Sequence, residues 1–235
     1  MKMKNNVVII LARGGSKSIP KKNIMKFCGK PLIAWSIEQA KFSKKVTSIW
    51  VSSDNKEILN LSRKFGAQII ERPESLAKDT SKCEDGFLHA INTIEKTGKK
   101  IDVVVGLQAT SPIRESSDID KAITKFHKFK YDSMISASAI GDFFIWEKNS
   151  KGIWNSVNYD YRNRPRRQDF AKQYEENGSF YMFKPEVLEK YGNRLGGKIG
   201  IAEMEYWKHF EIDEPEDIYL CEVIMKNFLL KKRTK

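Results

Sequence analysis

The 235-residue chain has only three cysteines, Cys28, Cys83 and Cys221, and no C-x-x-C spacing among them. An odd count excludes a complete intramolecular disulfide framework, so reduced, partly buried thiols and a cytoplasmic setting are expected. Cys83 and Cys221 fall on apparent helix faces and are expected in the core. Histidine is as scarce: His89, His127 and His209 are scattered, which argues against a Cys/His zinc site. No apolar run approaches the ~20 residues of a membrane-spanning helix. The run Val7–Ala12 is too short for the apolar part of a secretory signal and ends in Arg13. The phosphate-binding pattern G-x-x-x-x-G-K-[ST] is absent, as is the dinucleotide pattern G-x-G-x-x-G. No internal repeat, low-complexity linker or Ser/His/Asp pairing is present.

What the chain does have is positive charge. Forty-two Lys and Arg against 30 Asp and Glu give a net charge of +12, which points to polyanionic ligands. Hydrophobic residues make up 40%, enough for a core, and 31% are charged. This length and composition suit one large soluble α/β domain, or one domain with an excursion.

The charge concentrates at one junction. The apolar run Val7–Leu11 reads as a buried strand, and it delivers the backbone to Ala12, Arg13, Gly14 and Gly15. Lys17, Lys21 and Lys22 follow. Gly14 and Gly15 let the backbone approach a ligand and expose its N–H groups. Exposed N–H groups with fixed cations suit a polyphosphate. The alternative is a solvated basic turn between strand and helix.

Apolar runs then alternate with helical patterns. Strands are expected over Val7–Leu11, Ser48–Ser52, Gln68–Glu71, Asp102–Leu107, Ser133–Ala139, Gly178–Phe183 and Ile199–Met204. Helices are expected over Leu32–Phe42, Glu57–Phe65, Cys83–Thr97, Asp118–Phe129 (N-capped by Ser116 or Ser117), Pro185–Tyr191 and Asp217–Leu230. This rhythm specifies a mostly parallel sheet with helices on both faces. Residues 140–177 are aromatic, charged and aperiodic, and read as an excursion of a single 1–235 domain, serving as a lid or dimerisation element. Polar clusters fall at the carboxyl ends of the strands, where open α/β sheets bind ligands. They are Arg13–Asn23, Ser52-Ser53-Asp54, Arg72-Pro73, Gln108 to Arg114, and Glu211 to Asp213, the last expected on a strand end over Phe210–Asp213.

Glu211 and Asp213 alternate with Ile212, so in an extended chain both carboxylates share a face. Two hard oxygens suit Mg²⁺, which takes one or two carboxylates plus substrate phosphates. A solvated acidic turn before Pro215 is the alternative. Arg162, Arg164, Arg166 and Arg167 fit a clamp on a substrate carboxylate or phosphate, a nucleic-acid contact beside Tyr159, Tyr161 and Phe170, or a solvated loop.

Taken together, these motifs resemble the CMP-sialic acid synthetases (acylneuraminate cytidylyltransferases). The matching stretches include Leu11-Ala-Arg-Gly-Gly-Ser-Lys-Ser-Ile-Pro-Lys-Lys-Asn-Ile24, Gly29-Lys-Pro-Leu-Ile33, Val51-Ser-Ser-Asp54, Leu107-Gln-Ala-Thr-Ser-Pro-Ile-Arg114, Arg164-Pro-Arg-Arg-Gln-Asp169, Tyr174 to Tyr181, Gly196-Gly-Lys198 and Ile212-Asp213. They run nearly end to end in order. The resemblance implies a Rossmann-like nucleotidyltransferase that joins CTP to a nonulosonic acid, releasing pyrophosphate. It implies that Arg13, Lys17 and Lys22 hold the triphosphate beside Ala12 and Gly14, and that Asn23 and Arg72 fix the cytidine. Lys22, Arg13 and Gln108 form the catalytic group, with Gln108 between nucleotide and sugar. Arg167 and Tyr181 belong to the sugar side, and Asp213 with Glu211 binds Mg²⁺. A homodimer acting on small molecules, without nucleic acid or membrane, is implied.

Departures from the family pattern fall at Ser18, at Glu211, at Phe143 to Trp146 and at Glu175-Glu176, and they leave the sugar open among sialic, legionaminic and related acids. The competing readings are a CMP-Kdo-type or other sugar nucleotidyltransferase and a basic nucleic-acid-binding module. Carboxylates at the ligand edge repel a phosphate backbone unless a metal intervenes, which favours the enzyme.

Overall fold

Val7, Val8, Ile9 and Ile10 are all fully buried, so β1 (Asn6–Leu11) has no polar face and must be covered on both sides. The computed structural model describes residues 4–231, except residue 142 and the side chain of Arg167. After β1 come a small hairpin of β2 (Lys26–Phe27) and β3 (Lys30–Pro31), then α1 (Leu32–Lys41), β4 (Ser48–Ser53), α2 (Lys56–Lys64), β5 (Gln68–Glu71) and α3 (Cys83–Glu95). The chain continues through β6 (Val103–Leu107), α4 (Ser116–Phe129), β7 (Ser133–Ile140), the hairpin strands β8 (Trp146–Lys148) and β9 (Trp154–Ser156), β10 (Gln173–Phe183), α5 (Pro185–Tyr191), β11 (Ile199–Met204) and α6 (Pro215–Ile224).

Seven strands form the main sheet in the order β11-β7-β10-β6-β1-β4-β5. All its pairings are parallel except those of β10, which runs antiparallel to β6 and β7. The mostly parallel sheet with helices on both faces is therefore as expected. Val8 and Ile10 pack with Ile33 and Ile37 of α1, Ile58 of α2 and Ile123 of α4. Val7 and Ile9 pack with Phe87 and Ile91 of α3 and Val187 of α5 on the opposite face. The period-2 alternation of one strand thus assigns the helices to two layers. The chain proceeds from β1 outward through β4 and β5, then returns to place β6 on β1's other side. That reversal opens a crevice at the carboxyl ends of β1 and β6.

Four local expectations are corrected. β10 begins at Gln173 rather than Gly178, because Gln173 to Glu176 pair with β7 before a register shift. Phe210–Asp213 is not a strand: its Ile212 N–H donates to Thr110 O at 2.8 Å, and the segment joins no ladder. The cap of α4 is Glu115, in a reciprocal capping box with Asp118, rather than Ser116 or Ser117. The last helix starts at Pro215, suited to a first helical position, and changes to a π-helix over Met225–Leu230.

Lys208, 1% exposed, donates to Glu115, Asp118 and Glu205, tying the turn before the acidic segment to the start of α4.

Candidate active site

The basic loop is held from beneath by the next strand. Ala12, buried at the end of β1, donates its N–H to Ser52 O at 3.0 Å. Gly14 N–H donates to Asp54 Oδ1 at 3.0 Å, so Asp54 holds the loop. A Cβ on Gly14 would lie 2.9 Å from Asn55, whose side chain caps α2. Glycine is therefore set here by close approach. Asn23 Nδ2 donates to Arg13 O at 3.0 Å and closes the loop internally. Lys22 is 9% exposed, and its ammonium donates to Ile212 O at 3.0 Å, Asp213 O at 3.2 Å and Asp213 Oδ1 at 3.1 Å. Ser18 Oγ donates to the same Asp213 carbonyl at 2.6 Å. The loop after β1 and the acidic segment before α6 are thereby one unit.

Two loop cations already carry a counter-charge. Asp79 pairs with Arg13 at 2.6 Å and with Lys17 at 2.9 Å. Hydrogen bonding from Lys17, assisted by the charges of Lys17 and Arg13, holds the Asp79 carboxyl below its ordinary range. A triphosphate taking those cations must displace Asp79. Asp79→Asn is expected to bind tripolyphosphate roughly two- to five-fold more tightly, the scale of an exposed ion pair removed as competitor. Titration calorimetry on both proteins checks this; weaker binding by the variant would make Asp79 part of the site rather than its competitor.

Arg13, Lys22, Asn23, Arg72, Gln108, Tyr181 and Asp213 all line one cleft of about 500 Å³. Lys17 reaches its rim through Asp79, which lines it too. Ala12 and Gly14 are not among the lining residues. The Arg167 side chain lies outside the described residues. Its neighbours are engaged locally: Arg164 stacks 4.1 Å from the Phe144 ring centroid, and Arg166 pairs with Asp169 at 2.6 Å. Arg72 is 7% exposed, its Nε makes no hydrogen bond, and Asp54 is 4.0 Å away. Burial lowers its guanidinium, with Asp54 opposing.

Ile212 between the two carboxylates is fully buried; Asp213 lines the cleft, whereas Glu211 is not among the lining residues. Glu211 Oε2 accepts from Ser111 Oγ at 3.2 Å. Burial, and then the charge of Asp213, raise the Glu211 carboxyl above its ordinary range. Gly178, at φ 61°, passes so close that a Cβ there would fall 2.5 Å from Glu211 Oε2. Asp213 keeps 62% of its side chain exposed toward the cleft. Among the described residues no cluster of three His, Cys, Asp or Glu forms a protein cage. What the cleft offers is the exposed Asp213 carboxylate, with the charge of Glu211 close enough to be felt; hard oxygens of this kind suit an Mg²⁺ completed by phosphate oxygens and water.

Several site residues escaped the sequence reading. Arg194 lines the cleft, lies 4.2 Å from the Tyr181 ring centroid and pairs with Glu84 at 2.9 Å. Nothing in its own neighbourhood of sequence marked it, because the contact depends on where the loop after α5 lands. Arg114 belonged to a motif, yet its role is internal. Fully buried, it donates to Gln39 Oε1 at 2.8 Å, Ser36 Oγ at 2.6 Å, Gln108 O at 2.7 Å, Ser179 Oγ at 3.0 Å and Ser179 O. Burial pushes its guanidinium down to about 9, so it stays charged at neutral pH. Cys83, expected in the core, is exposed and lines the cleft, because burial along α3 begins only at Gly86.

Comparison with known proteins bears on this cleft. A family model described as "Cytidylyltransferase" matches residues 7–234. The chain is 37% identical over 210 residues to N-acylneuraminate cytidylyltransferase A of Danio rerio, covering 87% of this chain and 47% of that protein. It is 34% identical over 182 residues to the pseudaminic acid cytidylyltransferase of Campylobacter jejuni subsp. jejuni serotype O:23/36, covering 75% of this chain and 77% of that one. Among solved structures, a CMP:2-keto-3-deoxy-manno-octonic acid synthetase complexed with CTP superposes with a TM-score of 0.73 at 18% identity, covering 96% of this chain and all of that one. That similarity concerns the fold. The chain spans about half the length of the Danio rerio relative. With one family model matched nearly from end to end, the chain belongs to the cytidylyltransferase family.

Proposed function

We propose that this protein activates a nonulosonic acid: CTP and the acid react to give the CMP-sugar and pyrophosphate. The observation that carries this is the convergence of Arg13, Lys22, Asn23, Arg72, Gln108, Tyr181 and Asp213, from distant parts of the sequence, on one cleft. Relatives named for N-acylneuraminate and pseudaminic acid support the sugar class.

The chemistry is in-line attack of the anomeric hydroxyl on the α-phosphorus, mostly a matter of positioning and charge. Arg13, Lys17 and Lys22 hold the triphosphate once Asp79 yields. Arg72 meets the cytidine with its unpaired buried donor, and Asn23 keeps the loop carbonyl of Arg13 in place. Gln108, whose backbone is clamped by Arg114 and by Ser179, stands between nucleotide and sugar. Tyr181 lines the cleft on the side we assign to the acid, and Arg167 is assigned to the acid from the resemblance alone. Asp213 and Glu211 hold Mg²⁺, which when bound polarises the phosphate and screens the leaving pyrophosphate. Lys22 orients Asp213 for that role.

A homodimer formed through the excursion fits its exposed apolar surface: Phe143, Ile145, Trp146, Ile153, Trp154 and Val157 are all at least 42% exposed. No described helix is long and apolar enough to cross a membrane, and a cytoplasmic setting matches the three free thiols.

Pyrophosphate release tests the reaction directly, with CTP, Mg²⁺ and N-acetylneuraminate, legionaminate, pseudaminate, KDN or Kdo in parallel. Release is expected with a nine-carbon acid and is expected to stop when the metal is chelated. Release with Kdo alone would move the protein to the other sugar class. Silence with every acid, in protein that binds CTP, would overturn the acceptor class.

A further inference from the structure

The three thiols are unequal. Cys221 is fully buried, and burial pushes it up to about 12, while Cys28 is pushed up to about 11. Neither offers a thiolate at neutral pH. Cys83 is exposed, is the first residue of the thirteen-residue α3, and lines the cleft. Lys82, at the cap position, supplies no side-chain cap, so the first N–H groups of α3 lack a side-chain acceptor.

A second observation converges on the same wall. Arg72 is 7% exposed, its Nε makes no hydrogen bond, and its charge interacts with Cys83. A buried guanidinium with an unmet donor is a receptor for an anionic group. Arg13, Lys78 and Lys82 line the same cleft. An anionic reagent carrying an electrophilic sulfur is therefore drawn to the position where the accessible thiol stands.

We propose that Cys83 is a modification site inside the nucleotide cleft, taking an anionic low-molecular-weight disulfide and excluding the nucleotide once modified. The exclusion rests on the nucleotide reading of the cleft given above. In the step, the Cys83 thiolate attacks one sulfur of the reagent disulfide. A new S–S bond forms as the old one breaks, and the departing thiolate takes up a proton. One disulfide is exchanged for another, with no further oxidant. The adduct's acidic groups pair with Arg72 and Arg13, the groups proposed for the nucleotide. A thiol reductant reverses it.

The test uses the whole protein and 5,5′-dithiobis(2-nitrobenzoate), itself an anionic disulfide. One fast-reacting thiol is expected, mapped to Cys83 by peptide mass spectrometry. CTP at ten times its Kd should slow that phase ~10-fold by mass action. Calorimetry should find that the adduct no longer binds CTP and that dithiothreitol restores binding. Cys83→Ser, checked by its thermal melt, should lack the fast phase, whereas Cys28→Ser should keep it. Fast labelling mapped to Cys28 or Cys221 would overturn the proposal, as would an adduct that binds CTP like the free protein. Unmodified protein that fails to bind CTP would overturn the nucleotide reading and, with it, the exclusion; labelling mapped to Cys83 in that same protein would still support the modification site.

Discussion

Lys22→Ala is expected to lower kcat/KM for CTP by at least ~100-fold, the scale seen when a preorganised electrostatic group at a reacting centre is lost. That factor corresponds to about 2.7 kcal/mol of transition-state stabilisation. Two effects combine. On the proposed reading the transferring phosphate would lose a cation, and the Ile212 and Asp213 carbonyls, with Asp213 Oδ1, would lose their donor. An ammonium that is 9% exposed cannot be replaced by water without rearranging the segment it anchors. Steady-state kinetics on the variant, with its thermal melt as a folding control, settle the matter. Near-normal turnover in folded protein would remove Lys22 from the machinery.

Arg114→Met is expected to destabilise the protein by about 3 kcal/mol or more, because the buried carbonyls of Gln108 and Ser179 and the Gln39 side chain lose their donors together. For a chain of this size about 2–4 °C of Tm accompanies each kcal/mol, so Tm should fall by roughly 6–12 °C. Arg114→Lys should recover only part of this, since an ammonium cannot reproduce a planar fork. Calorimetric melts of the three proteins check the order. A Tm within about 2 °C of the parent for Arg114→Met would mean that the pocket refills with water at little cost.

Most of the fold was legible because its central strands are buried on two faces and its helices on one. The run Val7–Ile10 announced a central strand by composition alone. The strand ends were legible because polar clusters interrupt the apolar runs there, and four of the five clusters supply residues to the cleft, while Asp54 of the fifth holds the basic loop. What the sequence hid depends on partners far along the chain. Gln173 to Glu176 are polar and aperiodic, and become strand only because β7 offers an edge. Phe210–Asp213 has strand-like alternation but joins no ladder, and it is held by Thr110 and Lys22 instead. Arg114 closed a polar cluster at a strand end, and it is buried beneath the Gln108 backbone, since the cationic residues of a motif do not declare which way they face. Cys83 sat on the apolar side of a helical pattern, yet burial along α3 begins only at Gly86.

The placement of β10 has a consequence for how the chain is made. β6 and β7 are consecutive in the main sheet's sequence, joined through α4, yet they do not touch: β10, arriving from residues 173–183, occupies the slot between them. Until that segment leaves the ribosome, both flanking strands present open edges, and the half-built sheet is held together only by its β1-side pairings. Closing the slot requires a distant segment to insert between two strands at once, the kind of long-range pairing that slows folding. Termination between Ile140 and Gln173 would therefore leave both of those edges open, with no segment to fill the slot.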